Sequence, residues 1–352
     1  MDFALSTEQL DLAEAERAWL HKHDPILERR ESIDESPARL TAAMRKHVAE
    51  SGLAGLLTSA VGATHVDLLV LAETHGWAGS ALPLAEMAIA ARLLEDIGHS
   101  SAEDAAESTE IVVPVPPAPD LHVRVDGDTL RVVGRSAPIT GLMDADRIVV
   151  VSQTDDGAEV AAVIRVEAIE VTVLDTLDLL RSWAVADIDV TLESGDWATL
   201  STGSAAALSD QLATFRAVDA LGCADRLFTM AIDYAGQRSQ FGQPIGSFQA
   251  VKHHLANMAL WVEASRSTLW RAALALDGDD PGERAAAVAA AVAYACKSSG
   301  DTGQLALQIH GGIGFTWEHD VHLLIRRIKV DELLDGTVAD HRRRVVDLHA
   351  AG

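Results

Sequence analysis

The chain has 352 residues, 28 Lys and Arg against 53 Asp and Glu, and a formal net charge of −25. At roughly 150 residues per domain, this length points to two or three domains or one large one, and 48% hydrophobic with 23% charged residues is a globular composition able to bury a sizeable core. So acidic a chain repels a phosphate backbone and an anionic lipid surface, which excludes nucleic acid and membrane as expected partners. Cys223 and Cys296 form no Cys-x-x-Cys pair and stand in apolar surroundings, as free thiols of a reducing, cytoplasmic compartment do. No basic and apolar leader opens the sequence, and the run from Ala285 to Cys296 is too short and too weakly apolar to span a bilayer.

From about residue 6 to 108 the apolar period is helical. Ser6-Thr7-Glu8-Gln9 reads as a capping box, after which Leu10, Ala13 and Leu20 keep one face. Pro37 is expected to open a second helix, with Leu40, Met44 and Val48 stacked along it and Gly52 stopping it. Apolar segments follow from Val66 to Thr74 and from Leu84 to Ile97, the latter closed by Gly98.

From about 110 to 195 the period falls to two. Ile111 to Val113 precedes a run containing Pro114, Pro116, Pro117 and Pro119, which forbids a helix. Val123 to Val125 and Leu130 to Val133 flank Asp126-Gly127-Asp128 as a hairpin, and Ile148 to Val151 with Val160 to Val166 flank Asp155-Asp156-Gly157 as a second. With Ile169 to Val173 and Val185 to Leu192, about seven short strands are predicted. From about 203 onward the helical period returns in long segments. One face runs from Phe215 to Tyr234 and another from Val251 to Leu276; a third helix starts at Asp280-Pro281 and a fourth covers His319 to Leu334. The predicted architecture is multi-domain α+β: an N-terminal α-helical domain (1–108), a central antiparallel β-barrel or sandwich (109–200), and a C-terminal four-helix bundle (201–352).

No P-loop, GxGxxG, HExxH or GxSxG stands in the sequence, and the histidines lack metal-ligand spacing. Arg342-Arg343-Arg344 reads as a solvated helix end. Two segments are unusual. In RSQFGQPIGSFQ, residues 238–249, a long helix ends in an arginine, an aromatic, a glycine and a proline before a new helix starts. Arg238 is suited to a bidentate phosphate contact, and Gln249 adds a polar group beside helix N–H donors. In QIHGGIGF, residues 308–315, Gly311, Gly312 and Gly314 leave bare backbone at a helix end, where an anionic or planar ligand can approach. A tight interhelical turn and a glycine-rich loop account for the same residues without a ligand.

Together the two segments resemble the acyl-CoA dehydrogenase family of FAD enzymes, in which one helix ends in R-x-x-F-G-x-P-I-x-x-F-Q and the next-but-one runs into Q-x-x-G-G-x-G-F. Their order and separation match, as does the helical, β, four-helix plan. The resemblance is most specific between Gly222 and Thr337. It implies that Arg238, Phe241 and Gln249 reach across a subunit interface to FAD bound mainly by a neighbour. It implies that Gln308, Gly311 and Gly312 lie along the ADP half of that FAD. The chemistry implied is removal of an α-proton by a carboxylate and of a β-hydride by flavin N5 from an acyl-CoA thioester, with an electron-transfer flavoprotein as acceptor. In many members the base is the Glu of an E-G-T tripeptide; here it reads Asp335-Gly336-Thr337, which makes Asp335 the candidate base and Thr337 a candidate flavin contact. Asp335 is one methylene shorter than Glu and is equally readable as a turn residue before Gly336. Relatives that place the base on the first bundle helix would have it near Leu212, where Asp210 is the nearest carboxylate.

The chain departs from the family pattern on the half of the site that a subunit builds for its own flavin. T-E-P-x-A-G-S-D is replaced by VPVPPAPD (113–120), W-I-T reads Pro138-Ile139-Thr140 with only Thr140 kept, and no G-G-x-G stands near Ser59 to Ala63. The segments that serve a neighbour's flavin are kept. This asymmetry resembles the degenerate subunit of the heterotetrameric bacterial enzymes that act on steroid side-chain CoA esters, a subunit that completes the FAD site of a catalytic partner. A self-sufficient homo-oligomer using Asp335 as base, and a flavin-free structural relative, are the other readings.

Overall fold

The computed structural model describes residues 5–33 and 38–351. Among the described residues six helices come first: α1 (Thr7–His23), α2 (Ile26–Ser32), α3 (Ala42–Ser51), α4 (His65–Ala78), α5 (Leu84–Asp96) and α6 (Ala102–Ala106). The capping box forms as read, Ser6 Oγ accepting from the Gln9 N–H and Gln9 Oε1 from the Ser6 N–H. Pro37 lies outside the described residues. The helix expected from it begins at Ala42, because Thr41 supplies the N-cap and its hydroxyl accepts from the Met44 N–H. Leu40, Met44 and Val48 are buried, and Gly52 ends the helix with φ +67°. The seven-residue α2, set off by Pro25, has too little periodicity to be read from sequence.

Nine strands follow: β1 (Val112–Val115), β2 (Leu121–Asp126), β3 (Thr129–Arg135), β4 (Ile139–Thr140), β5 (Arg147–Gln153), β6 (Glu159–Arg165), β7 (Glu170–Leu174), β8 (Trp183–Leu192) and β9 (Trp197–Thr199). They form one sheet in the order β1-β5-β6-β9 and another in the order β2-β3-β8-β4, with β7 also on β8. Both expected hairpins form, β2–β3 and β5–β6. All pairings between these strands are antiparallel except β1 with β5, which run parallel. Pro114 is accommodated because β1 lies at a sheet edge, where the missing N–H breaks no inner ladder. The two- and three-residue strands β4 and β9 are too short to show a period of two.

The second sheet face explains why β5 and β6 read as continuous apolar runs. Val149, Val151, Ala161 and Val163 pack with the helices, while Ile148, Val150, Ala162 and Ile164 fill the interior between the sheets. The chain then forms α7 (Ser204–Gln237), a short β10–β11 turn (Ser239–Gln240 with Gln243–Pro244), α8 (Gln249–Leu276), α9 (Pro281–His310), α10 (Val321–Leu334) and α11 (Val338–Ala351). Arg342 to Arg344 lie within α11, not at a helix end, and Arg344 pairs with the buried Asp210 at 2.7 Å. Cys223 and Cys296 are buried free thiols, each pushed up by burial. Among the described residues no helix is long and apolar enough to cross a membrane.

One close helix crossing joins the N-terminal layer to the bundle. A Cβ on Gly76 of α4 would stand 2.4 Å from the Asp219 carbonyl oxygen, and one on Gly222 of α7 would stand 2.2 Å from that of Glu73. The Cys223 thiol donates to the Gly76 carbonyl across the same contact, 3.2 Å. Gly222→Ala therefore forces α4 and α7 apart. We expect it to lower unfolding stability by about 1–3 kcal/mol or more, whereas Gly312→Ala, whose Cβ meets nothing within 4 Å, leaves it unchanged. Denaturant unfolding of both variants checks this; equal midpoints would mean that the helices separate without cost.

Candidate functional site

Where β4, α7 and α10 meet, the interior is charged. Thr140 of β4 is buried opposite Trp183 of β8, and among the described residues its hydroxyl has no hydrogen-bond partner. Trp183 is 1% exposed. The guanidinium groups of Arg181 and Arg216 each lie 5.1 Å from its ring centroid, within cation–π range. Arg181 pairs with Asp178 at 2.6 Å, Asp331 at 2.6 Å and Asp219 at 3.3 Å. Arg327 of α10 forks onto Asp219 at 2.7 and 2.6 Å and donates to the Ser80 carbonyl at 2.7 Å. Arg216 of α7 pairs with Asp335. Burial pushes the Asp219 carboxyl up, but Arg327 and Arg181 outweigh it and hold the group well below the usual carboxylate range. Asp331 is pushed up, chiefly by burial and further by the neighbouring Asp219, against the opposing pull of Arg181.

These side chains leave little room. The cavity beside Thr140, lined by Pro83, Glu86, Phe215, Arg216 and Arg327 among others, measures about 30 Å³, the space of one or two waters. His75 also lines it, and its Nε2 meets Glu16, a buried carboxylate that takes His47 on its other oxygen, at 2.9 and 2.8 Å. Asp335 lies just past the end of α10, and its carbonyl oxygen is 3.0 Å from His341 Nε2. Gly336 turns the chain at φ +102°. Thr337 is exposed and caps α11, its hydroxyl accepting from the Asp340 N–H at 3.2 Å. Asp210 is gripped by Arg284 at 3.1 Å as well as by Arg344, and does not line this cavity.

The other predicted residues gather at the far end of the bundle. α7 ends with the Arg238 N–H bonded to the Tyr234 carbonyl at 2.8 Å, and the Arg238 carbonyl accepts from Ile245 at 2.8 Å. Arg238 and Gln249 are exposed, and no ion pair among the described residues engages Arg238. Phe241 is 92% exposed with φ +53°, a left-handed backbone that an aromatic residue adopts only under constraint. α9 ends at Gly311 with φ +62°, and a Cβ on Gly311 or Gly312 would meet nothing within 4 Å. Gln308 is exposed one turn before. The Tyr234 and His310 rings stack at 4.7 Å, so the arginine turn and the glycine bend adjoin. Burial pushes His310 and His319 down, and their rings meet edge-on at 4.8 Å.

The residues implied for FAD therefore fall in two places that fit it differently. About 30 Å³ beside Thr140 is far below the roughly 300–1,000 Å³ of a ligand pocket, and the buried Arg181, Arg216 and Arg327 line what space there is. The bundle end is open, with side-chain-free backbone, an exposed guanidinium and the first turn of α8, which suits a pyrophosphate. The sequence reading missed Arg181, Arg216, Asp219 and Arg327. Their signal is a charge set inside an apolar helical face, as in Phe215-Arg216-Ala217-Val218-Asp219.

Residues 206–347 match the family described as acyl-CoA dehydrogenase, C-terminal domain. The chain is 28% identical over 320 residues to acyl-CoA dehydrogenase IpdE2 of Mycolicibacterium smegmatis, covering 88% of this chain and 92% of that protein. Among solved structures it resembles the ChsE4-ChsE5 complex from Mycobacterium tuberculosis, with TM-score 0.90 and 22% identity over 100% of both chains. It also resembles the Tcur3481-Tcur3483 steroid ACAD G363A variant, with TM-score 0.87 and 22% identity over 98% of both chains. The structural likenesses carry the helical, curled-sheet, helical fold over the whole chain, and the bundle, residues 206–347, carries the match to the acyl-CoA dehydrogenase C-terminal domain.

Proposed function

We propose that this chain is the degenerate subunit of a heteromeric acyl-CoA dehydrogenase, completing an FAD site whose flavin face and base belong to a catalytic partner. One observation carries the reading: the chain's own centre is filled by Trp183 and paired arginines, while the residues that would serve a neighbour's cofactor stand open at the bundle end. Arg238 would hold the pyrophosphate, Phe241 and Gln249 would border it, and Gln308, Gly311 and Gly312 would lie along the ADP. When bound, FAD supplies the hydride acceptor for α,β-dehydrogenation of an acyl-CoA thioester. In this reading Asp335 anchors Arg216 and takes no α-proton, and Thr140 and Thr337 contact no flavin. A steroid side-chain CoA ester is the proposed substrate class of the assembly, supported by the likeness to the steroid ACAD. An electron-transfer flavoprotein is the proposed acceptor.

The chain purified alone is expected to lack flavin absorbance, and to gain it on co-expression with a catalytic subunit encoded by a neighbouring gene. Stoichiometric FAD and turnover in the chain alone would overturn the proposal. In the assembly, Arg238→Ala removes a charged hydrogen bond worth about 1.5–3 kcal/mol; FAD affinity measured by equilibrium dialysis should fall roughly 10- to 150-fold. Asp335→Asn should leave turnover within about twofold, since the shape beside Arg216 is kept. Loss of turnover by orders of magnitude, in a variant whose circular dichroism is unchanged, would return Asp335 to the role of base.

A further inference from the structure

The glycine bend is a surface loop between α9 and α10, and most of residues 312–318 are exposed. Such a loop meets a cofactor reproducibly only if its far end is fixed. The fixed point is Asp320, directly before α10. Arg30 of α2 donates to its Oδ1 at 2.7 Å and also to the Glu318 carbonyl at 3.1 Å. Arg226 of α7 reaches Oδ2 from the other side at 3.3 Å, while its second nitrogen holds the Trp77 and Ala78 carbonyls at the end of α4, both at 3.2 Å. All three side chains are under one-fifth exposed, so the contact is less screened than a surface ion pair.

α2 is itself immobilised. Ile26 is buried, and Arg29 donates to the Gly79 and Leu180 carbonyls at 2.9 and 3.2 Å. Neighbouring arginines of one short helix therefore face two ways, Arg29 into the filled centre and Arg30 onto the bend. A bundle lacking the N-terminal layer would keep the Arg226 contact and lose the Arg30 one.

We infer that Arg30 is a positioning residue, which acts through Asp320 to hold the Gly311–Thr316 bend where a partner-bound cofactor meets it. The cofactor half of this inference rests on the proposed function; the mechanical half does not.

Hydrogen–deuterium exchange on the chain alone tests the mechanical half. Arg30→Ala is expected to speed exchange over residues 312–320 about tenfold while the β-strands keep their protection, and Arg30→Lys, which retains a cation with several donors, to restore most of it. Unchanged exchange over the bend, or a rise spread evenly through the chain, overturns the inference. In the assembly with the catalytic subunit, Arg30→Ala is expected to weaken FAD retention about tenfold. Full retention with a loosened bend overturns the cofactor half. A wild-type assembly that holds no FAD defeats the proposed function instead, and exchange over the bend still decides whether Arg30 fixes it.

Discussion

The joint between the three parts of the chain is made of buried charge. Arg181 enters from the segment before β8, Asp219 from α7, and Arg327 and Asp331 from α10, with the Ser80 carbonyl closing the set from the N-terminal layer. Desolvating so many ions is expensive, and the attraction between them offsets that cost only with close, saturated geometry. Removing one member leaves a partner charged and unpaired, typically a loss of about 3–5 kcal/mol. The set is therefore hard to dismantle one residue at a time. It also fills the centre, leaving a cavity of about 30 Å³, so the same interactions that join the layers decide what the centre can hold.

The same joint orients the bundle. Gly76 and Gly222 let α4 and α7 approach to backbone contact, and α7 carries both Arg216 into the centre and Arg238 out at its far end. This one helix thus links a closed interior to an open surface, Arg216 and Arg238 standing about 33 Å apart at 1.5 Å per residue.

Much of this was legible in the sequence because it depends on local chemistry. The Ser6–Gln9 capping box, the glycine stops at Gly52 and Gly98, both β-hairpins and the long bundle helices all follow from cap, turn and period signals within a few residues. The helix start assigned to Pro37 was misplaced because Thr41 offers the better cap for an apolar face beginning at Met44. The parallel pairing of β1 with β5 was hidden because a strand's period does not record its partner's direction. The two motifs marked the bundle end, where glycine, proline and a lone arginine carry local meaning. The filled centre was not legible. Its members are spread from Asp178 to Asp335, and in sequence each is a single charge on an apolar helix or beside a strand. Only the fold brings them together.

The aromatic tip of the bundle carries a consequence for handling the chain by itself. Phe241 is held in a left-handed backbone with its ring in water, and Phe315 and Trp317 are 71% and 57% exposed close to the glycine bend. A strained, solvated aromatic is costly until something covers it. Left uncovered, these rings are an apolar spot on which copies of the chain are expected to associate, and the net charge of −25 opposes that association at long range. Because that repulsion is screened by salt, the solubility of the lone chain is expected to fall as ionic strength rises.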